Sequence, residues 1–353
     1  MFKKVLVPLD GSERAEQAIP VAASIARASG GSVLLLQVDT MPLDFAWQSM
    51  EASLNMPEAM LQEQNSIKEY LATLAAAKEL KGVATITALA EGVPAEAILS
   101  VASSQQVDLI VMCSHGRTGF KRWMLGSVAQ KVARHSPVPV LVLREGAGVP
   151  TNMHPLGMRP VRVLVTLDGS ALSESALVPA ATLTSSLSAP LGGELHLLRV
   201  LTMPVKEDAE HYELITAEKA QAIAAAAAYL KAQQQRMQEG DEAVANIKVT
   251  TSVIVDTDIA GAVIEAAEMG EGMEEIEGFQ GCDVIAMATH GRGGLEHWIM
   301  GSVTERVLHA TRMPLLIIRS KKTEAKHEVA GVASGSKNHK EGVAGTAPWE
   351  GLL

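Results

Sequence analysis

Aromatic residues are scarce in this chain of 353 residues: they make up 3% of it, against 47% for hydrophobic residues as a whole. Its cores must therefore be packed from Ala, Val, Leu, Ile and Met. The two cysteines, Cys113 and Cys282, are too few for a disulfide framework, which indicates a reducing compartment. Positive charge is also scarce, since the formal net charge is −10 at pH 7. Nucleic acids and anionic membranes require a basic surface, so both classes of partner are excluded.

Long hydrophobic runs and targeting signals are missing as well. No uncharged apolar run reaches about eighteen residues, the length at which a membrane span becomes plausible. Residues 1–4 lead directly into a strand pattern, so no signal peptide is predicted. The sequence thus predicts a soluble, cytoplasmic protein. It also lacks the Walker pattern Gly-x-x-x-x-Gly-Lys-Ser/Thr and the Gly-x-Ser-x-Gly elbow of hydrolases.

One glycine-rich stretch occurs twice, as MCSHGRTGFKRWMLGS at 112–127 and MATHGRGGLEHWIMGS at 287–302. Each copy follows a short apolar run that is typical of a buried parallel strand. Each leads into an apolar-periodic segment that predicts a helix, with Ser127 and Ser302 as the helix caps. A loop of this kind directs backbone N–H groups and the positive end of a helix at one point, which suits a phosphate.

The whole pattern of strands and helices repeats, and Asp10-Gly-Ser12 after the first strand recurs as Asp168-Gly-Ser170. Each copy has the order β-α-β-α-β-α-β-α-β, which predicts a doubly wound, five-stranded parallel sheet of order 3-2-1-4-5. Glycine-bearing turns follow strands one and four, which flank the switch point where ligands bind in such sheets. The predicted organisation is a first domain, a Pro-rich linker, a second domain and a disordered tail without apolar periodicity: 1–145, 146–159, 160–320 and 321–353.

The apolar spacing also predicts the bounds of two helices in the first copy. The apolar spacing predicts one helix over 13–29, in which Pro20 introduces a kink, and Pro179 repeats this feature in the second copy. The spacing also predicts a single long helix from Ala59 to Leu80.

On these motifs, the chain resembles a tandem universal stress protein, in which two copies of one domain are fused. The nucleotide-binding signature of that family is Gly, two residues, Gly, nine residues, then Gly-Ser or Gly-Thr. Gly116 with Gly126-Ser127, and Gly291 with Gly301-Ser302, match its later part. The first glycine is replaced by Cys113 and by Ala288, whose side chains are expected to narrow the pocket and weaken binding.

The resemblance implies an adenine nucleotide (ATP, ADP or AMP) at each copy, with no catalytic residue. Magnesium would be held through the phosphates, and Asp10 and Asp168 would contact the ribose or that metal. The last strands of the two domains would meet in a pseudo-dimer, with a homodimer as a further step. The implied binding residues are Pro8, Leu9, Asp10, Val38, Met112, Cys113, His115, Gly116, Gly126, Ser127 and Val128 in the first copy, and Leu167, Asp168, Val200, Met287, Ala288, His290, Gly291, Gly301, Ser302 and Val303 in the second.

Other interpretations of these residues remain open. The glycines could serve tight turns, and Asp10 and Asp168 could cap the helices that follow them. Cys113 could be a redox sensor whose pKa is lowered by a nearby helix N-terminus. The favoured function is a regulatory, non-catalytic ATP-binding protein of the stress response. The alternatives are a slow ATPase and a nucleotide-independent interaction module.

Overall fold

The computed structural model describes residues 1–40, 56–114, 125–144, 160–190, 192–202, 212–240, 246–270, 281–289 and 300–319. The predicted linker and tail lie outside these ranges. Of the two glycine loops, residues 115–124 and 290–299 lie outside them too.

The first half alternates strands and helices in the predicted order. A 3₁₀ turn at Lys78–Leu80 precedes its third strand. The elements are β1 Lys4–Leu9, α1 Glu13–Glu16, α2 Ala18–Ser29, β2 Ser32–Asp39, α3 Met56–Ala75, β3 Ala84–Glu91, α4 Pro94–Ser104, β4 Leu109–Cys113, α5 Ser127–His135 and β5 Val140–Leu143.

The second half repeats this order with a longer third helix. Its elements are β6 Arg162–Thr166, α6 Ala171–Glu174, α7 Leu177–Ser188, β7 Gly193–Leu201, α8 Tyr212–Gly240, β8 Ile247–Val255, α9 Ile259–Met269, β9 Val284–Ala288, α10 Ser302–Ala310 and β10 Leu315–Ile318. None of the described helices is long and apolar enough to cross a membrane.

All the described strands form one ten-stranded sheet, of order β3-β2-β1-β4-β5-β10-β9-β6-β7-β8. Strands are parallel within each half, and each half has the predicted order 3-2-1-4-5. The halves join where β5 and β10 pair antiparallel, with Leu141 opposite Leu316. The predicted doubly wound fold and its pseudo-dimer are therefore confirmed.

The strands are apolar on both faces because helices cover the sheet on both sides. On one face, the buried side chains form a single cluster through both halves, which includes Ile25 and Leu35 of the first and Leu183 of the second. On the other face, a second cluster runs through both halves and includes Ile110 and Ile285. The two halves thus share their hydrophobic cores.

Polar contacts between the halves have a pseudo-twofold pattern. The Arg144 guanidinium donates to the Leu308 carbonyl, and Arg319 donates to the His135 carbonyl at 3.4 Å. These carbonyls lie in the last turns of α10 and α5, where the helix dipole stabilises a positive charge. Arg134 of α5 also forms an ion pair with Glu305 of α10.

The helix predicted over 13–29 is interrupted just before Pro20, where the kink was predicted. Gln17, with φ −60° and ψ −16°, ends α1 and precedes α2, so Pro20 lies in the first turn of α2. In a helix interior, proline lacks the N–H that would bond to the carbonyl four residues before it, and its ring clashes with that carbonyl. In a first turn, that N–H has no partner within the helix and no helical carbonyl precedes it, so proline is tolerated there. Pro179 lies in the first turn of α7 for the same reason. The helix predicted from Ala59 to Leu80 is also shorter, since α3 ends at Ala75.

The second half contains a buried polar cluster whose matched positions in the first half are apolar. His196 on β7 is fully buried, with its Nδ1 2.7 Å from Thr250 Oγ1 and its Nε2 2.8 Å from Ser252 Oγ. The strand registers place Leu34, Ile86 and Ala88 at the matching positions of the first half. Burial, with a smaller contribution from Arg162, lowers the pKa of His196 to about 3.

We predict that this cluster makes the fold sensitive to acid. His196 is neutral when folded, but the unfolded chain takes up a proton below about pH 6.5, so stability is lost as the pH falls from there towards the folded pKa of about 3. Each pH unit of acidification in this window lowers the free energy of unfolding by about 1.4 kcal/mol. Urea unfolding at pH 7 and pH 5 should therefore show about 2 kcal/mol more loss in the wild type than in the variant His196→Leu/Thr250→Ile/Ser252→Ala. Equal losses would contradict the prediction.

We also predict that the halves stay together when the chain between them is cut. The β5–β10 pairing and the shared cores hold them, independently of the peptide link. A specific protease site inserted at Thr151 should yield two fragments on a denaturing gel but one peak of unchanged volume on a sizing column. Two separate peaks would show that the linker is what holds them.

Candidate functional site

A cavity of about 390 Å³ opens at the carboxyl ends of β1, β2 and β4. It lies at the predicted switch point, between α3, α4 and α5. Nine of the eleven residues predicted for the first site line it, and the other two, His115 and Gly116, lie outside the described residues. The nine are Pro8, Leu9, Asp10, Val38, Met112, Cys113, Gly126, Ser127 and Val128.

The N-terminus of α5 forms one end of the cavity. Gly126 is its N-cap, with φ −63° and ψ 149°, and this residue has no side chain that could cap the helix. The Gly126 N–H donates to the Ser114 carbonyl at 2.8 Å, which anchors this turn to the end of β4. The first-turn N–H groups that follow have no partner within the helix. This end of the cavity therefore suits an anion.

The prediction that Ser127 and Ser302 cap their helices is wrong. Both are the first helical residue, and the glycine before each is the N-cap. A glycine cap contributes no side-chain oxygen, so it leaves the first-turn N–H groups to other acceptors. The φ of Gly126 suits any residue, so its backbone conformation does not explain why glycine stands there. Room for a ligand beside the helix end would explain it.

The Asp-Gly-Ser turn after β1 shapes the middle of the cavity. Gly11 has φ +80°, a conformation that favours glycine. Ser12 caps α1 by accepting from the Ala15 N–H at 3.2 Å, so Asp10 is not the cap. Instead, Asp10 Oδ1 accepts from the Ser12 N–H at 3.1 Å and from its hydroxyl at 2.6 Å. The turn thus holds the Asp10 carboxylate in the cavity wall.

The opposite end of the cavity lies over β2 and α3. Val38 packs there with the apolar cluster that contains Met112 and Ile98. Gln37 also lines the cavity, and its Oε1 is buried without a hydrogen-bond partner among the described residues. Sequence reasoning missed Gln37, although a polar side chain near the end of an apolar strand is a usable signal. It also missed other lining residues, among them Asp39, Thr40, Glu63, Ile67, Pro94, Ile98, Ser114 and Ala129.

Cys113 is the last residue of β4 and its environment disfavours a thiolate. Burial, together with the Asp10 carboxylate, raises the pKa of Cys113 to about 12. The redox-sensor interpretation expected a lowered pKa and is wrong, because burial and a neighbouring negative charge outweigh any effect of the helix end.

The second half presents the same backbone arrangement. Gly301 is the N-cap of α10 and its N–H donates to the Thr289 carbonyl at 2.7 Å. Gly169 has φ +87°, and Asp168 Oδ1 accepts from the Ser170 hydroxyl at 2.6 Å. Ser170, and not Asp168, caps the helix that follows.

The remaining predicted residues of the second site follow the same topology. Leu167, Val200, Met287 and Ala288 lie at or just beyond the carboxyl ends of β6, β7 and β9, and Val303 lies in the first turn of α10. His290 and Gly291 lie outside the described residues. One side-chain difference stands out: Thr304, which matches Ala129, is buried and donates to the Ala288 carbonyl at 2.9 Å.

Among the described residues, no group of three or more His, Cys, Asp or Glu side chains is arranged so that it could hold a metal ion.

We predict that Cys113 reacts very slowly with thiol reagents. With a pKa of about 12, its thiolate fraction at pH 8 is about a thousandth of that of an ordinary cysteine. Iodoacetamide should therefore leave the native protein largely unlabelled under conditions that label the urea-unfolded chain fully, as peptide mass spectrometry would show. Rapid native labelling at Cys113 would contradict the prediction.

Comparison with known proteins follows the same division into halves. The sequence profile of the universal stress protein family matches residues 1–144 and 161–319. Universal stress protein YxiE of Bacillus subtilis is 38% identical over 149 residues, covering 41% of this chain and 100% of that protein. Universal stress protein Slr1230 of Synechocystis is 24% identical over 338 residues, covering 90% of this chain and 100% of that protein.

The fold is also similar to that of a universal stress protein from Archaeoglobus fulgidus. That crystal structure has a TM-score of 0.56 and 21% identity, and the match covers 90% of this chain and 99% of that one. Two profile matches within one chain, and a relative whose whole length matches 90% of this chain, agree with the repeat seen in the sheet. The chain therefore belongs to the universal stress protein family, with two copies of the family's domain in tandem.

Proposed function

We propose that this protein binds ATP in the first-half cavity and a purine nucleotide at the matched site of the second half, as a regulator of the stress response and not as an enzyme. The observation that supports this most is the glycine-capped N-terminus of α5, which opens into a 390 Å³ cavity at the switch point. ADP and AMP would use the same site. The binding residues are those predicted from the sequence, with Gln37 added at the base end.

The cavity suits the parts of a nucleotide in order along its length. The first-turn N–H groups of α5 would hold phosphate oxygens, and Ser127 would add a hydroxyl donor. Asp10, in the middle, would contact the ribose or a magnesium ion carried by the phosphates. Val38, Met112 and Ile98 offer the apolar wall that a base requires. Magnesium would neutralise phosphate charge beside the Asp10 carboxylate.

Absence of the Walker lysine and of the hydrolase elbow from the sequence favours binding over catalysis. A slow ATPase remains the alternative that incubation with ATP would detect. Retained, intact ATP after incubation supports a binding protein, steady ADP production an enzyme, and no retained nucleotide an interaction module.

The proposal extends to the organisation of the whole protein. Domain boundaries of 1–145 and 160–320, with a linker at 146–159 and a tail at 321–353, are supported by the sequence repeat. A cytoplasmic location is supported by the small number of cysteines, which indicates a reducing compartment. Pairing of two chains into a homodimer would add to the pseudo-dimer within each chain.

We predict that Gly126→Val abolishes binding at the first site and Gly301→Val at the second. A branched side chain would stand where phosphate oxygens approach the helix end, and loss of two charge-assisted N–H contacts lowers the affinity about a hundredfold or more. Calorimetry at saturating ATP should give up to two nucleotides for the wild type and one fewer for each variant.

Each glycine variant is the control for the other, because both make the same change at a matched cap. Valine tolerates the φ of −63° and −59° found at these positions, so each variant should melt close to the wild type. If both variants bound ATP as the wild type does, the nucleotide site would have to lie elsewhere.

A further inference from the structure

The two candidate sites differ at the end that lies farthest from the phosphate-binding helix. The β1–β2 pairing starts with Lys4 opposite Ser32, and the β6–β7 pairing starts with Arg162 opposite Glu194. Gln37 and Arg199 therefore occupy the same position in the two halves. β1 lies between β2 and β4, so Gln37 is on the far side of the cavity from the α5 N-terminus. In a bound nucleotide, that side faces the base.

In the first half, this base end presents the Gln37 carboxamide and two carboxylates. Gln37 Oε1 is buried in the cavity wall without a partner among the described residues. A buried acceptor of this kind is costly unless a ligand supplies a donor. Asp39 and Glu63, which line the same end, are carboxylates and also accept. The ligand that fits this end donates hydrogen bonds to it.

In the second half, the matched positions supply a donor and no carboxylate. Arg199 has five N–H donors and no acceptor, and its Cζ lies 5.2 Å from the centroid of the Tyr229 ring. Leu201 matches Asp39 in the register of the strands.

The helices next to this end, α3 in the first half and α8 in the second, also correspond to each other. The hydroxyls of Tyr70 on α3 and Tyr229 on α8 donate to Glu16 and Glu174, both at 2.9 Å. This pairing aligns the two helices and places Ala222 at the position of Glu63. A ligand at the matched site of the second half would meet the Arg199 N–H donors at its base end.

We infer that Gln37 and Arg199 give the two halves different purine preferences: a 6-aminopurine in the first and a 6-oxopurine in the second. A carboxamide pairs with adenine by accepting from N6 and donating to N7. A guanidinium pairs with a 6-oxopurine by donating to both O6 and N7. This inference rests on the proposed function, since it assumes that both sites bind a purine nucleotide.

ATP and inosine triphosphate (ITP) test the inference, because they carry the same ribose and triphosphate and differ at the 6-position of the purine. Any effect of the glycine loops on the phosphates cancels in the ratio of the two affinities. Calorimetry on the full-length Gly301→Val protein reports the first site alone, and on Gly126→Val the second. We expect the first site to bind ATP about tenfold or more tightly than ITP, and the second to show the reverse order.

Exchange of the two side chains gives the matched controls. Gln37→Arg in the Gly301→Val protein should reverse the preference of the first site, and Arg199→Gln in the Gly126→Val protein that of the second. Gln37→Leu, which offers neither donor nor acceptor, should weaken the preference for ATP without reversing it, since Asp39 and Glu63 remain as acceptors. A purely structural role for Gln37 would lower both affinities together and leave their ratio unchanged.

The wild type provides a readout that needs no variant. In an equimolar mixture of ITP and ¹³C,¹⁵N-labelled ATP near the tighter dissociation constants, the label separates the two nucleotides in mass, and native mass spectrometry should show one ATP and one ITP on each chain. Equal ATP-to-ITP ratios at the two sites, or ratios that the exchanges leave unchanged, would overturn the inference while the proposed nucleotide binding stands. Binding of neither nucleotide at either site would overturn both.

Discussion

The antiparallel pairing of β5 with β10 is the interaction on which the rest of the structure depends. Each half alone is a five-stranded sheet whose last strand, Val140–Leu143 or Leu315–Ile318, is fully apolar. Such an edge, left unpaired, is a site of aggregation. Pairing the two edges makes one sheet of ten strands and lets both hydrophobic clusters continue from one half into the other.

This pairing also determines where the ligand-binding helices lie. α5 and α10 follow the strands next to the junction, so their C-terminal turns meet across it. Arg144 and Arg319 bind the carbonyls of Leu308 and His135 there. The N-termini of the same two helices lie at the two candidate sites. Each helix thus has one end in the interface between the halves and the other in a candidate site.

The two halves keep the same backbone devices and differ in the side chains around them. Both have a glycine of positive φ after the first strand and a glycine cap before the helix that faces the site. The differences lie in side chains: Gln37 against Arg199, Ala129 against Thr304, and Leu34 against His196. A repeated backbone suits a shared phosphate-binding end, and changed side chains suit a difference in what each half selects.

Local patterns in the sequence were sufficient for the strand order and for the position of the helix N-terminus at the first site. Strand order follows from alternating strands and helices with right-handed crossovers, and a glycine-rich turn at the end of a buried strand marks the switch point. The break at Gln17 could also have been predicted, since proline is tolerated in a first turn and not in a helix interior. Helix caps were less accessible, because a Gly-Ser pair allows either residue to be the cap.

By itself, the sequence determined the repeat, the order of the elements and the position of the candidate phosphate-binding ends, because each of these depends on neighbours along the chain. Tertiary structure decided what depends on neighbours in space. Burial beside Asp10 raises the pKa of Cys113, and Thr250 and Ser252 make a buried His196 tolerable. Among the described residues, none pairs with Gln37 Oε1 in the cavity wall. Desolvation and hydrogen bonding arise from residues far apart in sequence, so no local pattern records them.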